Sequence, residues 1–593
     1  MPMNFDAIVI GTGFGGTIAA TRLAAKGKKV LMLERGTWWV TPAKLGKAPA
    51  SAFKKIPEWA KEQKPPQPVQ YWTRPNNKDG MLDFFAAIRN PVFNKDGLYQ
   101  YSIFKQADIL TASGVGGGSL IYSNVTVRPE AEVLAGIGLN LGDAEYQLAY
   151  KWMEDFRGRL NHIVTKIPLP GRDVTNLTTD DYLYLDRARV LRDAAKTSAA
   201  KLGIKLPWKP LDLSLIEYDP HRPDGGDAAK VGTFCQREGR CILGCLPSAR
   251  HTFSKTLYTK LLADPAKGVT LSPLAEVRDI KRIDGGYEVN YRDHRDDKKK
   301  TVSATMVFLA GGTLGTTEIL LRSRDRGGLK LSDTLGTHFS TNGDFGAFAV
   351  GTTKAVHSTV GPINTCQVST KLDGLHIKVE DSAIPEMFAA IASTTLGVLD
   401  KAAQREKLKG ELKFAFINKS LPDLRDFFPH LPDTYDPESN QTEGEMVSNI
   451  FFFNVMGQDD ASGSFTLKND RLDLDWSKKI GETPIFQKIE VLLKSLTESM
   501  GGRYVPFPLW KGLGNKKLVI THPLGGCPIA PTSFDGVVDE LGRVFDGNKP
   551  KGSKDVYPGL YVVDGSAIPG AVATNPTLTI AAQALKSLNA ALP

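Results

Sequence analysis

The chain has 593 residues, 41% of them hydrophobic, enough for one large or two moderate cores, and its length points to two or more domains. Its formal net charge is +9, but 74 Lys+Arg stand against 65 Asp+Glu and no basic tail dominates, so no nucleic-acid partner is expected. No apolar run is long enough to cross a bilayer, and the N-terminus passes almost directly into a strand without the regions of a signal peptide; a cytoplasmic protein is expected, and a processed secreted one would look the same.

The first segment, FDAIVIGTGFGGTIAATRLAAKGKKVLMLERG, reads as strand, glycine turn, helix and strand. Ala7 to Ile10 is a continuous apolar run, as expected of a parallel strand covered on both faces. Gly11, Gly13 and Gly16 then form G-x-G-x-x-G, with Phe14 and Gly15 inside it, at the start of a helix. A second strand, Val30 to Leu33, ends at the acid Glu34. The spacing has a physical sense: Gly11 permits the tight turn, Gly13 lets backbone approach a pyrophosphate, and Gly16 lets helix and strand pack closely. Glu34 would accept from ribose hydroxyls. This constellation binds dinucleotides in general and does not separate NAD from FAD.

Lys44 to Lys78 is the most uneven stretch in charge, with Trp59, Tyr71 and Trp72 among its lysines. Such a segment could touch an anionic membrane surface, although a solvated loop packed down by its aromatics is the preferred reading. Next comes a second glycine cluster, SGVGGGSLIYSN from Ser113 to Asn124, which implies backbone pressed against something flat or charged. Three of the five cysteines, Cys235, Cys241 and Cys245, cluster tightly. An odd total argues against a disulfide scaffold, and without an obvious fourth ligand structural thiols are preferred to a metal site.

Gly268 to Val277 looks like the approach to a strand, and Tyr287 to Arg292 with Thr301 to Thr305 looks like a hairpin around DHRDDKKK. Met306 to Ala310 then repeats the strand-then-glycine pattern into Gly311. An apolar strand from Leu518 to Ile520 leads into THPLGGC, which carries His522. Leu560 to Val563 is a buried-type strand closed by Asp564, and a helix opens at Asn575 and Pro576, with Pro at the first helical position. The nucleotide-binding elements are thus assigned to residues 1–40, 101–130, 230–340 and 520–593. Residues 131–229 and 341–519, including the aromatic IFFFNV at Ile450 to Val455, are assigned to a substrate domain, and 41–100 to a lid or loop.

Taken together, GTGFGG with Glu34, GVGGGSL, LAGGTLGT, THPLGGC, and YVVDGSAIPG followed by NPTLTIAAQAL resemble the glucose-methanol-choline (GMC) oxidoreductases in order and spacing. Within them the pattern is most similar to the cholesterol oxidases and related bacterial sterol dehydrogenases. The resemblance implies an α/β fold, a Rossmann-type FAD-binding domain with an inserted α+β substrate domain. It implies FAD as cofactor, with Gly117, Gly118 and Ser119 near the isoalloxazine and pyrophosphate and main-chain contacts from Val277 to adenine. Gly311, Asp564, Gly565, Asn575, Pro576 and Thr577 complete the implied cofactor set. No His lies between Ala112 and Asn124, where some members attach FAD covalently, so dissociable FAD is expected.

Two departures matter. Tyr122 stands where the secreted sterol oxidases have Asn, with Asn124 two residues later, and the cysteine cluster is closer to the intracellular sterol dehydrogenases. Both leave the electron acceptor, oxygen or another, open.

The chemistry implied is oxidation of an alcohol, in which flavin N5 takes the hydride, His522 positions the hydroxyl and helps remove its proton, and Asn575 orients the same oxygen or the flavin edge. Glu380, in HIKVEDSAIPEM, matches by its spacing to Pro385 the segment carrying the sterol oxidases' isomerase carboxylate. A surface acid beside Asp381 is the competing reading. The aromatic segments lean against a sugar or short alcohol, the resemblance and the Glu380 to Pro385 spacing imply a bulky apolar substrate such as a 3β-hydroxysterol, and the presence of both His522 and Asn575 disfavours a flavin carrier without alcohol chemistry.

Overall fold

The computed structural model describes residues 3–38, 85–88, 97–155, 185–215, 235, 239–243, 245, 249–257, 261–262, 264–385, 389, 392, 447–510 and 516–592. The basic segment from Lys44 to Lys78 lies outside them.

The nucleotide-type sheet draws its strands from distant parts of the chain. Its spine runs Arg543–Phe545, Val556–Val562, Lys298–Leu309, Phe5–Ile10, Val30–Leu33 and Val269–Ser272. All neighbours after the first pair run parallel. Val30–Leu33 is buried at every position, as a strand covered on both faces must be. The helices Phe14–Ala25 and Thr577–Ala591 pack together over it.

Two local readings are revised by the tertiary structure. Gly268 to Val277 is not one approach but two strands, Val269–Ser272 and Ala275–Ile283, because Leu274 adopts φ 58° and turns the chain from the parallel sheet into an antiparallel hairpin. Likewise Thr301 to Ala310 is not a hairpin arm followed by a new strand. Lys298–Leu309 is continuous: its first half pairs antiparallel with Gly286–Asp293, and its second half enters the parallel core beside Phe5–Ile10. The change from mixed to continuous burial along it follows from that change of neighbours.

A second sheet of six strands, all antiparallel, runs Arg503–Pro506, Phe345–Val350, Ile450–Gly457, Leu375–Ser382, Cys366–Leu372 and Trp208–Pro210. The helix Pro484–Ser499 covers one face, burying Phe486, Ile489, Leu493 and Leu496. Strand alternation then decides the fate of the aromatic run. Phe451, Phe453 and Val455 enter the main core, while Phe452 and Asn454 turn to the opposite face, where they line a cavity. A third, smaller sheet pairs Leu518–Ile520 in parallel with Ala107–Ala112 and brings His522 to the same cavity.

Candidate active site

A cavity of about 1360 Å³ runs from the first glycine turn to the six-stranded sheet. Of the residues singled out from sequence, its wall contains Gly11, Gly13, Phe14, Gly15, Glu34, Gly117, Gly118, Tyr122, Val277, Gly311, His522, Asp564, Gly565, Asn575, Pro576 and Thr577. Gly16, Ser119, Asn124 and Glu380 are not part of that wall.

The glycine turn is built for close approach. A Cβ on Gly16 would stand 2.1 Å from the Gly11 carbonyl oxygen, so only glycine lets the helix sit this near its strand. Gly117 has φ 53°, and a Cβ there would lie 2.7 Å from Gly13 Cα, which makes the contact between the two glycine clusters backbone on backbone. Thr12 joins them. Its hydroxyl donates to Glu34 Oε2 at 2.7 Å and accepts from the Gly116 amide at 3.0 Å. The other Glu34 oxygen accepts from Gly36 N at 2.9 Å. Burial raises the Glu34 pKa, against the lowering effect of the Thr12 and Gly36 hydrogen bonds and Arg35.

Ser119 supports the cluster from behind, donating to the Gly116 carbonyl at 2.7 Å and accepting from Phe253 N at 2.9 Å. Asn124 is fully buried with φ 68°, and its carbonyl accepts from Ser214 N at 2.7 Å. Tyr122 meets Phe14 edge to face at 5.7 Å and donates to the His251 carbonyl at 3.2 Å. Asp564 is buried and engaged within the protein. One oxygen accepts from Gly312 N at 2.8 Å and the Thr316 hydroxyl at 2.5 Å, the other from the amide and hydroxyl of Ser566 at 2.9 and 2.6 Å. Its carboxylate therefore caps the Gly312–Asp325 helix and shapes the turn beside the cavity.

At the centre, Asp344 holds His522. Asp344 Oδ1 lies 2.8 Å from His522 Nδ1, and its Oδ2 accepts from the amides of Thr521 and His522 at 2.6 and 2.8 Å. Nδ1 therefore carries the hydrogen, which leaves Nε2 of the neutral ring as an acceptor. The ring is 19% exposed and Asp344 is buried. Burial opposes charging the imidazole, but the charge and hydrogen bond of Asp344, with Glu380 adding to them, outweigh it and raise the His522 pKa.

Asn575 is buried at the start of the last helix, and its Oδ1 has no hydrogen-bond partner among the described residues. Pro576 occupies the N-cap, one position earlier than its sequence suggests, so the helix begins at Thr577 with no side-chain cap. The segment before it is clamped by Asn342, whose Oδ1 accepts from Val572 and Ala573 N at 2.9 and 3.0 Å and whose Nδ2 donates to the Thr574 carbonyl at 2.8 Å. Glu380 is no surface acid: it is fully buried behind Asn454, whose amide donates to Glu380 Oε2 at 3.2 Å. Burial raises its pKa, partly offset by Lys378 and His522. Of the cysteines of the cluster, Cys241 is buried and Cys235 and Cys245 are partly exposed.

The far wall is apolar. Phe348 stacks on Phe452 with centroids 4.7 Å apart and lies 6.5 Å from Phe507, and Ile384 and Pro385 continue the surface. Asp344, Asn342, Thr12 and Lys378 were not singled out by sequence reasoning. Thr12 lies inside GTGFGG, Lys378 inside HIKVEDSAIPEM, and Asn342 and Asp344 share NGDF, but nothing local tied Asp344 to His522.

The family model described as GMC oxidoreductase matches residues 509–584, which contain His522, Asp564 and Asn575. A cholesterol oxidase of Mycobacterium tuberculosis is 26% identical over 98% of this chain and 90% of its own length. A cholesterol oxidase of Acinetobacter baumannii is 24% identical over 99% of this chain and 94% of its own. The chain is thus similar to the GMC oxidoreductases, through residues 509–584 by the family model and over nearly its whole length by the two cholesterol oxidases. The crystal structure of pyridoxine 4-oxidase from Mesorbium loti has the same fold, with a TM-score of 0.53 over 99% of both chains at 15% identity.

The GMC oxidoreductases are flavin enzymes that act on CH–OH donors and pass the electrons of a small-molecule alcohol to an acceptor. The residues present fit FAD. Two uncapped helix N-termini, at Phe14 and Thr577, open on one cavity, and an orphaned Asn575 oxygen lies beside the second. The first suits a pyrophosphate and the second an electron-rich ring edge, since free amides and the helix dipole favour negative charge.

Proposed function

We propose that this chain is a GMC oxidoreductase that oxidises a bulky apolar alcohol, a 3β-hydroxysterol being the leading candidate, with dissociable FAD. One observation carries the reading: His522, oriented by Asp344, and Asn575, whose Oδ1 is unpaired among the described residues, line one cavity whose far side is Phe348, Phe452, Phe507 and Ile384. Bound FAD supplies the hydride acceptor. The neutral His522 accepts the hydroxyl proton at Nε2 while Asp344 stabilises the resulting imidazolium. Asn575 orients the alcohol oxygen or the flavin edge through its amide. The apolar wall excludes water and positions the carbon skeleton so that the hydride leaves in one direction.

The cholesterol oxidase relatives support the sterol reading. Glu380, buried behind the wall residue Asn454 with a raised pKa and one oxygen unpaired among the described residues, has the character of a base that shifts the double bond of the ketone product. The test is a panel of alcohols that includes 3β-hydroxysterols, run on the flavin-loaded protein with oxygen alone and with an artificial electron acceptor. Turnover of sterols but not sugars supports the reading; turnover of sugars or short alcohols with silence toward sterols overturns it.

A further inference from the structure

The strand that carries Glu380 also carries a buried cation with no part in the proton and hydride transfers described above. Lys378 is 4% exposed, and its ammonium donates to Thr574 Oγ1 at 2.9 Å, immediately before Asn575 in the chain. Residues two apart on a strand point to the same side, so Lys378 and Glu380 share one face of Leu375–Ser382. Asp381 points to the other face, where it accepts from Arg187 Nε at 2.6 Å and from the amides of Thr365 and Cys366.

The surroundings of the pair are polar and short of partners. Gln367 stands directly across from Glu380 in the neighbouring strand, 1% exposed, with both amide atoms unpaired among the described residues. Glu380 Oε1 and Asn575 Oδ1 are unpaired as well. Leaving a buried polar atom unpaired is costly, so several left unpaired among the described residues point to a ligand, water or a reaction as their partner.

We propose that Lys378 is the counter-charge of Glu380 and, through Thr574, a positioning residue for Asn575. Burial lowers the Lys378 pKa, and the Glu380 carboxylate is the largest influence opposing that. Burial raises the Glu380 pKa, and Lys378 is the largest influence opposing it. Each therefore makes the charged form of the other tolerable in a dry interior. The remaining charged groups that act on them are His522 and Asp381 on Glu380, and Lys209 and Glu130 on Lys378. The role of Glu380 as second base comes from the function proposed above; the charge coupling does not depend on it.

The test uses the flavin-loaded protein and titrates Glu380 by infrared difference spectroscopy, following the protonated carboxyl band that Glu380→Gln abolishes. Lys378→Gln removes the charge but can still donate to Thr574, and Lys378→Met removes both. In each variant the midpoint of that band is expected to move up by about one pH unit or more. An unmoved midpoint overturns the counter-charge. Flavin reduction by an oxidisable alcohol is expected to be about tenfold slower in Lys378→Met than in Lys378→Gln, the size of one lost neutral hydrogen bond. Equal rates overturn the positioning role. If the wild type forms no conjugated ketone, the isomerase reading of Glu380 fails while a shifted midpoint still upholds Lys378. If Lys378→Met does not retain flavin, the Lys378→Gln titration alone decides the counter-charge, and a Thr574→Val variant with wild-type reduction rate overturns the positioning role.

Discussion

Asn342 and Asp344 stand on one loop and brace opposite sides of the site: Asn342 clamps Val572 to Thr574 beside Asn575, and Asp344 holds the ring and amide of His522. The loop is itself tied down by Asp459, which accepts from the Ser340 hydroxyl at 2.6 Å and from the amide and hydroxyl of Thr341 at 2.6 and 2.7 Å. A shift of this loop would therefore move both residues together.

Asp344→Asn is expected to keep the two backbone hydrogen bonds through its remaining oxygen while presenting an amide N–H to His522 Nδ1. That favours the tautomer with hydrogen on Nε2, which cannot accept the substrate proton. The rate of flavin reduction should fall by about two to four orders of magnitude with flavin content unchanged, similar to His522→Ala. Stopped-flow reduction at saturating alcohol checks it, and a near-normal rate removes the pair from the reaction.

The pH dependence follows from the sign of the His522 shift. Its pKa lies above the ordinary value of 6.5, so flavin reduction should rise with pH through a midpoint above 6.5 as the ring becomes the neutral acceptor. For stability the direction is opposite: the interaction with Asp344 is fully present below 6.5 and is lost as pH rises through the raised pKa. Thermal unfolding from pH 5 to 9 should show this loss in the wild type and a flatter profile in His522→Ala. The kinetic midpoint should move down in Asp344→Asn.

Gly117→Ala places a methyl group 2.7 Å from Gly13 Cα at a position of φ 53°, so the two glycine clusters must separate. The variant is expected to purify with much less flavin, read from the ratio of absorbance at the flavin band to that of the protein. In the wild type, acid or heat denaturation should release all the flavin into solution. Flavin left on the precipitated chain would contradict dissociable FAD.

Glu380→Gln is expected to leave alcohol oxidation substantially intact while the unconjugated ketone accumulates, as resolved by chromatography of the sterol products. Phe452→Ala should instead raise KM for sterols about 10- to 100-fold by removing the ring stacked on Phe348, with kcat less affected. The opposite pattern, an unchanged KM, would place the ring system elsewhere in the cavity.

The strand, glycine turn and helix from Phe5 to Ala25 were legible because their determinants are local: an apolar run, then glycines where backbone packs on backbone. The short strand before His522 and the helix after Asn575 were legible for the same reason, apart from a one-residue shift at Pro576. Local pattern also showed IFFFNV as an aromatic segment, but which rings are core and which face the cavity depended on the sheet that received it. Asp344 lies 178 residues from His522, Asn342 lies 232 from Thr574, and Lys378 lies 196 from Thr574. No spacing rule reaches that far. The burial of Glu380 likewise arises where two strands close over it, so its acidity is a property of the packed sheet. The amino-acid sequence by itself determined the glycine turns and the residue types available for chemistry, since those rest on short-range sterics; which acid orients His522 and which cation shares a strand face with Glu380 were decided only by tertiary structure, because hydrogen bonds and buried charges act through space between segments that folding alone brings together.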